Sequence, residues 1–381
     1  MGKNFTLNAA VGNNGIQDHQ TYGEGFDLAT KLLIRESKKG IVPIDAVIYP
    51  LVFCARHRIE LFLKDQIMKL TCIRENKNIT EEKLVNTHNL NNLWDIYRDN
   101  AGKTDWRFQK FINDAEEYIL DFAEIDATSE TFRYPYDKYK TEKHLINTPI
   151  INIAVLEERY NELSQMIEEL EYLTEYLIEE YRENTFTSKL SRKDIYDIAI
   201  NLPEKKNWRS DDFLKIKNET MKKYDISGRK FSEALNIIVS HQEFCAEIGL
   251  EIPLSYLDSS SLLTYINLYN DLYKSATFEN GQSKHISLYF ERLSSCIKEL
   301  QSKICKETIV CIYTLKELSK LNYFSEAYDR LLDKHLEDAK IDYFYQTMCN
   351  SIFGNRNALN FIKNSLIQTG QKTLAIKCFN T

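Results

Sequence analysis

The strongest candidate for chemistry in this chain is a short polar group that contains a histidine. Arg56, His57 and Glu60 occupy two adjacent helical turns, and His57 and Glu60 share one face because they are three residues apart. A histidine there can act as general base toward a ribose hydroxyl, with Glu60 setting the imidazole tautomer. Arg56 or Arg133 would stabilise the charge that develops on the phosphate. This interpretation predicts acid–base chemistry that needs no metal ion.

The same region also has a structural interpretation, which we prefer. Four polar side chains would form a buried network that attaches the 132–135 segment and the third helix to the second: Glu60, Lys64, His88 and Arg133. Asp137 and Lys138 extend either arrangement. The sequence leaves both interpretations open.

The elements that must position these residues are helical. The chain has 381 residues with only 12 Gly and 6 Pro, under half of the average usage of about 7% Gly and 5% Pro. Hydrophobic residues at 43% suffice for several cores. No apolar window of about 18 residues occurs, which excludes a membrane-spanning helix. We expect a soluble all-α protein.

Apolar periodicity and helix-stop signals predict the order of these helices. The expected helices before residue 184 cover 22–39, 44–70, 87–97, 105–122 and 148–181. An extended segment interrupts them at Phe132-Arg133-Tyr134-Pro135, because a residue that precedes proline avoids the helical region. Together with an irregular N-terminal arm, residues 1–184 are predicted to form a first helical bundle.

A change in the sign of the charge marks the second predicted domain, 185–254. Residues 151–183 carry ten Glu against two Arg, whereas residues 189–230 carry twelve basic residues against seven acidic ones. The pattern predicts three short helices, two of them capped by Ser191 and Ser210, and a third from Lys230 to Ile248. A domain like this resembles a helix-turn-helix unit.

Four basic residues near the second turn of this module are candidates for binding nucleic-acid phosphate: Lys222, Lys223, Arg229 and Lys230. The alternative is a docking surface for the acidic 151–183 helix of the same chain or of a second subunit. Both alternatives remain open, because the net charge of −7 argues only against a chain that coats nucleic acid over its whole surface.

The third predicted domain, 255–381, consists of helical hairpins. Residues 315–328 resemble one TPR-like hairpin, with a polar turn followed by aromatic and alanine packing positions. The eight cysteines form no C-x-x-C pair and indicate reduced core residues of a cytoplasmic protein. Phosphate-loop, dinucleotide, zincin and hydrolase motifs do not occur, and we expect no metal or cofactor.

Three segments resemble the HEPN family in the family's order. Residues 49–64 resemble its second helix, residues 87–94 (THNLNNLW) resemble its "THxL" helix start, and residues 132–138 (FRYPYDK) resemble its "RYP" segment. The similarity covers about residues 20–183. It implies a helical bundle and a prokaryotic defence or toxin-antitoxin protein, antiviral in some systems, that acts on or senses RNA as a homodimer or with a protein partner.

HEPN ribonucleases use an Arg-x(4–6)-His motif on a late helix, and this chain departs from that pattern. The corresponding helix has Arg159 but no histidine after it. The sequence Arg330-Leu-Leu-Asp-Lys-His335 has the spacing, yet it lies outside the region of resemblance. Metal-independent endoribonuclease activity is therefore one expectation, and a non-catalytic helical interaction module or nucleic-acid-binding regulator is the alternative.

Overall fold

Long helices dominate the chain, as the scarcity of glycine and proline predicts. The computed structural model describes residues 8–15, 18–73, 87–126, 129–136, 143–145, 148–274 and 283–379. Within these ranges there are sixteen α-helices and no β-strand, which confirms the expected all-α fold. None of the described helices is both long enough and apolar enough to cross a bilayer. The chain divides into two units, Met1–Arg182 and Glu183–Thr381.

Five helices build the first unit: α1 (His19–Lys38), α2 (Ile44–Ile73), α3 (Leu90–Thr104), α4 (Gln109–Ile125) and α5 (Ile153–Arg182). Helix α2 packs against α1, α3 and α5, while α4 packs against α3 and α5. Local capping fixes the helix starts: the Asp18 side chain accepts a hydrogen bond from the Thr21 amide at 2.7 Å, and that of Asn89 accepts one from Asn92. Because α1, α3 and α5 all pack against α2, this helix is covered on several sides.

The segment from 131 to 134 differs from the expected extended conformation. Residues 131–133 form a turn in which the amides of Arg133 and Tyr134 both donate to the Glu130 carbonyl at 3.1 Å. The Asp126 side chain accepts from the Thr131 amide at 3.3 Å and supports the turn. The prediction of an extended segment was wrong because it used only the conformational restriction that Pro135 places on the residue before it. The turn instead depends on hydrogen bonds to Glu130 and to Asp126 at the end of α4.

Four helices open the second unit: α6 (Arg192–Asn201), α7 (Asp211–Lys223), α8 (Gly228–Ser240) and α9 (Gln242–Glu247). They share one hydrophobic core between Leu190 and Ile248. Ser191 and Ser210 cap α6 and α7 as their positions predict. The predicted third helix from Lys230 to Ile248 is wrong in its bounds. Ser227 caps α8, and the chain breaks at His241, whose ring accepts from the Phe244 amide and so caps α9.

Seven further helices follow: α10 (Ser259–Lys274), α11 (Ser283–Lys303), α12 (Lys306–Lys320), α13 (Ala327–Asp338), α14 (Asp342–Gly354), α15 (Ala358–Gln368) and α16 (Lys372–Phe379). Their core is a second hydrophobic cluster, from Leu254 to Cys378. Helix α12 packs against α13, α14 and α15, so the TPR-like segment spans two neighbouring helices. Three hydroxyls donate to carbonyls at the end of α14, those of Tyr265, Tyr269 and Tyr273.

Candidate functional site

Helix α2 places charged side chains in the interior of the first unit. Arg56 is fully buried and Glu60 is 1% exposed. They are four residues apart, so they lie on one helix face and form an ion pair. Because α2 is covered by α1, α3 and α5, this face points into the bundle. Buried charges are retained only when they are paired and hydrogen-bonded.

Glu60 is the centre of an ionic cluster. Its Oε1 accepts from Lys64 Nζ at 2.9 Å and lies 2.8 Å from Nδ1 of His88, while Oε2 pairs with Arg56. Burial alone raises the pKa of Glu60, but the hydrogen bonds and charges of Lys64 and Arg56 outweigh it and hold the pKa far below its ordinary value of 4.5. The carboxylate is therefore ionised, and His88 Nδ1 carries the hydrogen that it donates.

Arg56 ties this cluster to two other segments. Its Nε donates to the Asp126 carbonyl at 3.0 Å, and Nη2 donates to the His88 carbonyl. Asp126 follows α4, and His88 precedes α3. The guanidinium thus joins three segments of the bundle, and its burial keeps it out of contact with a phosphate in solvent. We define Arg56, Glu60, Lys64 and His88 as the ionic cluster.

His57 lies at the edge of this cluster, where its side chain is 25% exposed. Its ring stacks on Phe53 with centroids 5.5 Å apart and meets the Phe26 ring edge-on at 4.6 Å. His57 Nδ1 is buried, has no hydrogen-bond partner within the described residues, and lies 3.8 Å from Glu60 Oε2. That distance exceeds a hydrogen bond, so Glu60 does not hold the imidazole tautomer in this state.

Arg133 contacts aromatic rings beside this region. Its Nε donates to the Ser129 carbonyl, and its guanidinium lies 5.7 Å from the ring centroids of Phe53 and Tyr134. The Phe53 ring therefore contacts both Arg133 and His57. Asp137, the remaining member of the predicted network, and Lys138 lie outside the described residues.

A cavity of about 660 Å³ opens beside Arg133, and sequence reasoning did not find it. Seven of its lining residues are aromatic or basic, and we call the cavity they line the tyrosine pocket: Tyr49, Phe132, Arg133, Tyr134, Tyr136, Lys143 and His144. No aspartate or glutamate is among its described lining residues. Tyr134 and Tyr136, on either side of Pro135, were the available sequence signal.

The four basic residues of the 185–254 module are brought to one turn. Lys222 and Lys223 belong to the last turn of α7, whereas Arg229 and Lys230 belong to the first turn of α8. Lys230 pairs with Glu233 at 2.7 Å, and Lys223 donates to the Tyr224 hydroxyl at 3.0 Å. The turn between the helices is thus a local basic surface.

The Arg330-x4-His335 sequence does not form a site in α13. Arg330 is 66% exposed and pairs with Glu183 at 3.2 Å. His335 is buried, and its Nδ1 lies 2.9 Å from Thr314 Oγ1. Burial lowers the pKa of His335, which favours the neutral ring. Arg330 therefore lies at the surface and His335 lies in the core, so the two side chains do not meet.

The cysteines and carboxylates offer no metal centre in the part of the chain that the structure describes. All eight cysteines are free thiols. Within the described ranges, no group of three or more His, Cys, Asp or Glu side chains is arranged to hold a metal ion.

No protein-family model, curated protein or solved structure matches this chain.

Proposed function

We propose that this chain is a HEPN-like protein of a prokaryotic defence or toxin system that binds RNA and leaves it intact. The observation that carries the proposal is the engagement of Arg56 and Glu60 in the buried ionic cluster. The resemblance of residues 49–64, 87–94 and 132–138 supports the class. Because Arg56 and Glu60 are bonded to each other and buried, they support RNA sensing rather than RNA cleavage.

Cleavage would require three groups to act on one phosphodiester. Arg56 is fully buried and bonded to Glu60 and two backbone carbonyls. Glu60 accepts from Lys64 and His88 and leaves His57 at 3.8 Å. At that separation Glu60 makes no hydrogen bond that would orient the His57 ring as a general base. The ionic cluster instead gives these residues a structural role, since breaking a buried pair strands a charge.

RNA binding needs exposed cations, and the two basic surfaces carry more basic than acidic side chains, unlike the outer face of α5. Helix α5 carries exposed glutamates such as Glu168 and Glu175, which repel a phosphate backbone. The tyrosine pocket and the turn between α7 and α8 present the opposite charge. These surfaces support RNA contact on each unit separately.

A cleavage assay tests the proposal. Purified full-length protein is incubated with total cellular RNA and with labelled tRNA in EDTA, and both RNAs should remain intact. The variants are His57→Ala and a matched surface control, His19→Ala, since His19 is exposed at the start of α1. Cleavage by the wild type and by His19→Ala, lost in folded His57→Ala, would overturn the proposal and establish a metal-independent ribonuclease.

A second candidate function, a nucleic-acid-binding regulator, is favoured by the gathering of four cations at the turn between α7 and α8. It predicts steep salt dependence of binding, because each phosphate contact adds about 0.7–0.9 to the slope of log affinity against log salt. Replacing Lys222, Lys223 and Arg229 by alanine should flatten the slope, whereas Lys215→Ala, an exposed lysine within α7, should change it less. Equal slopes in all variants would remove this candidate.

A further inference from the structure

We propose that the tyrosine pocket binds a phosphorylated nucleoside, with the base against the tyrosine rings and the phosphate on the basic side chains. The ligand is either a free nucleotide or one nucleotide of a single-stranded RNA. The RNA source rests on the proposed function, whereas the free nucleotide does not. The volume of about 660 Å³ lies within the range of about 300–1,000 Å³ typical of small-molecule sites.

Aromatic exposure is the first argument for this ligand. Three tyrosines of the pocket are roughly half exposed, at 48% for Tyr49, 57% for Tyr134 and 46% for Tyr136. Two of them are braced: Tyr49 contacts the Phe132 ring at 6.2 Å, and Tyr134 lies under the Arg133 guanidinium at 5.7 Å. Rigid, accessible rings are the platforms on which nucleobases stack. The pocket therefore suits a planar ring system.

Charge is the second argument. The whole chain has 56 acidic and 49 basic residues, yet the described lining of the tyrosine pocket contains Arg133, Lys143 and His144 and no carboxylate. Another cavity of the same unit, about 330 Å³, is lined by five carboxylates, including Glu168 and Glu171. The described lining of the tyrosine pocket therefore favours an anionic ligand.

His144 provides the third argument. Its Nε2 is buried and has no hydrogen-bond partner among the described residues. Buried polar atoms in native proteins are nearly always hydrogen-bonded, so the unpartnered ring nitrogen of this pocket-lining residue indicates a missing polar partner. A phosphate bound beside Lys143 would accept from Nε2–H once the His144 ring turns toward the cavity. Inorganic phosphate would leave the tyrosines unused, and an uncharged nucleoside would leave the cations unused.

Isothermal titration of the full-length protein tests this assignment with four probes: AMP, adenosine, inorganic phosphate and a single-stranded oligoadenylate. AMP should bind more tightly than adenosine or phosphate. Tyr134→Ala and Lys143→Ala should each weaken AMP binding about tenfold, the equivalent of about 1.4 kcal/mol. Tyr134→Phe should retain binding because its ring still stacks. Tyr172→Ala, which removes an 81% exposed tyrosine on α5, is the matched control.

The outcomes separate the pocket from the proposed function. Oligoadenylate that competes with AMP supports both. AMP binding that weakens in Tyr134→Ala, with no RNA binding, supports the pocket for a free nucleotide and overturns the RNA function. RNA binding that is equal in the wild type, Tyr134→Ala and Lys143→Ala overturns the pocket and leaves the function standing. Absence of binding by every probe overturns both.

Discussion

At the scale of single residues, Glu60 decides whether the polar side chains of α2 have a structural or a catalytic role. One carboxylate, 1% exposed, accepts from Lys64 and Arg56 and contacts His88. Replacing a whole buried ion pair by apolar residues often changes protein stability little. Removing only one partner lowers the stability strongly, because the remaining charge stays buried and unpaired. A structural role and a catalytic role therefore predict different variants.

Glu60→Ala should lower the free energy of unfolding by about 3–5 kcal/mol, since Arg56 and Lys64 lose their buried counter-charge. Urea unfolding followed by circular dichroism measures this. The matched control is Glu124→Ala, an exposed glutamate near the end of α4, with an expected change within about 0.5 kcal/mol. Equal stability of the two variants would refute the structural role of the ionic cluster.

The same carboxylate predicts a pH dependence. The pKa of Glu60 is lowered in the folded state from its ordinary value of 4.5, and Glu326 of the second unit behaves likewise beside His241 and Arg192, although burial opposes both shifts. A lowered folded pKa stabilises the protein above pH 4.5, and this contribution is lost as the pH falls below that value. Urea titrations at several acidic pH values should therefore show a shallower loss of stability in Glu60→Gln than in the wild type. Parallel curves would contradict the assignment.

At the scale of elements, Gly23 of α1 lies directly against the Arg58 side chain of α2. A Cβ on Gly23 would lie 2.6 Å from Arg58 Nη1, and Arg58 is itself buried and paired with Glu171 at 2.8 Å. Two residues later, a Cβ on Gly25 would meet nothing within 4 Å. The helix thus supplies its own control for the steric effect.

Gly25→Ala should raise the free energy of unfolding by about 0.5–1 kcal/mol, because alanine suits a helix interior better than glycine. The free energy of unfolding of Gly23→Ala should be lower than that of Gly25→Ala by about 1–3 kcal/mol, the usual cost of overpacking. Thermal or urea unfolding of both variants measures the difference. Equal gains in both would show that Arg58 moves aside freely and that α1 does not require Gly23.

The starts of helices could be predicted from the sequence because capping is local. Ser191 and Ser210 each satisfy an amide within their own first turn, and neighbouring residues suffice to recognise them. The break at His241 could not be predicted in this way. His241 also lies 2.9 Å from Glu326, about eighty positions away in the chain, so the local pattern carries no sign of that partner.

The candidate site was partly predictable for the same reason. Glu60 and Lys64 are one turn apart, which places them together on any helix. Arg56 is one turn from Glu60 as well, but its hydrogen bonds to the carbonyls of Asp126 and His88 depend on the packing of α3 and α4 on the bundle, which the local sequence does not reveal. The tyrosine pocket depends on a turn at 131–133 that periodicity does not reveal.

At the scale of the whole molecule, each unit has its own buried ionic centre. In the second unit, Arg192 is 8% exposed and pairs with Glu243 and with Glu326 at 2.7 Å. It lies 4.9 Å from the ring of Phe244, which belongs to the 190–248 core, and 4.9 Å from the ring of Phe324, which lies between α12 and α13. Arg192 therefore connects the 190–248 core with the helices that follow it. Buried charge in this protein recurs where helices must be joined.

The central claim is that the full-length protein binds RNA and leaves it intact, and one fluorescence-anisotropy experiment tests it. A 5′-labelled single-stranded RNA is mixed with the protein in EDTA at low salt and followed over time. The account predicts that anisotropy rises on mixing, stays constant, and falls on addition of salt. An anisotropy that never rises would contradict RNA binding. A rise followed by a decline below the value of the free RNA would reveal cleavage and contradict the non-catalytic assignment.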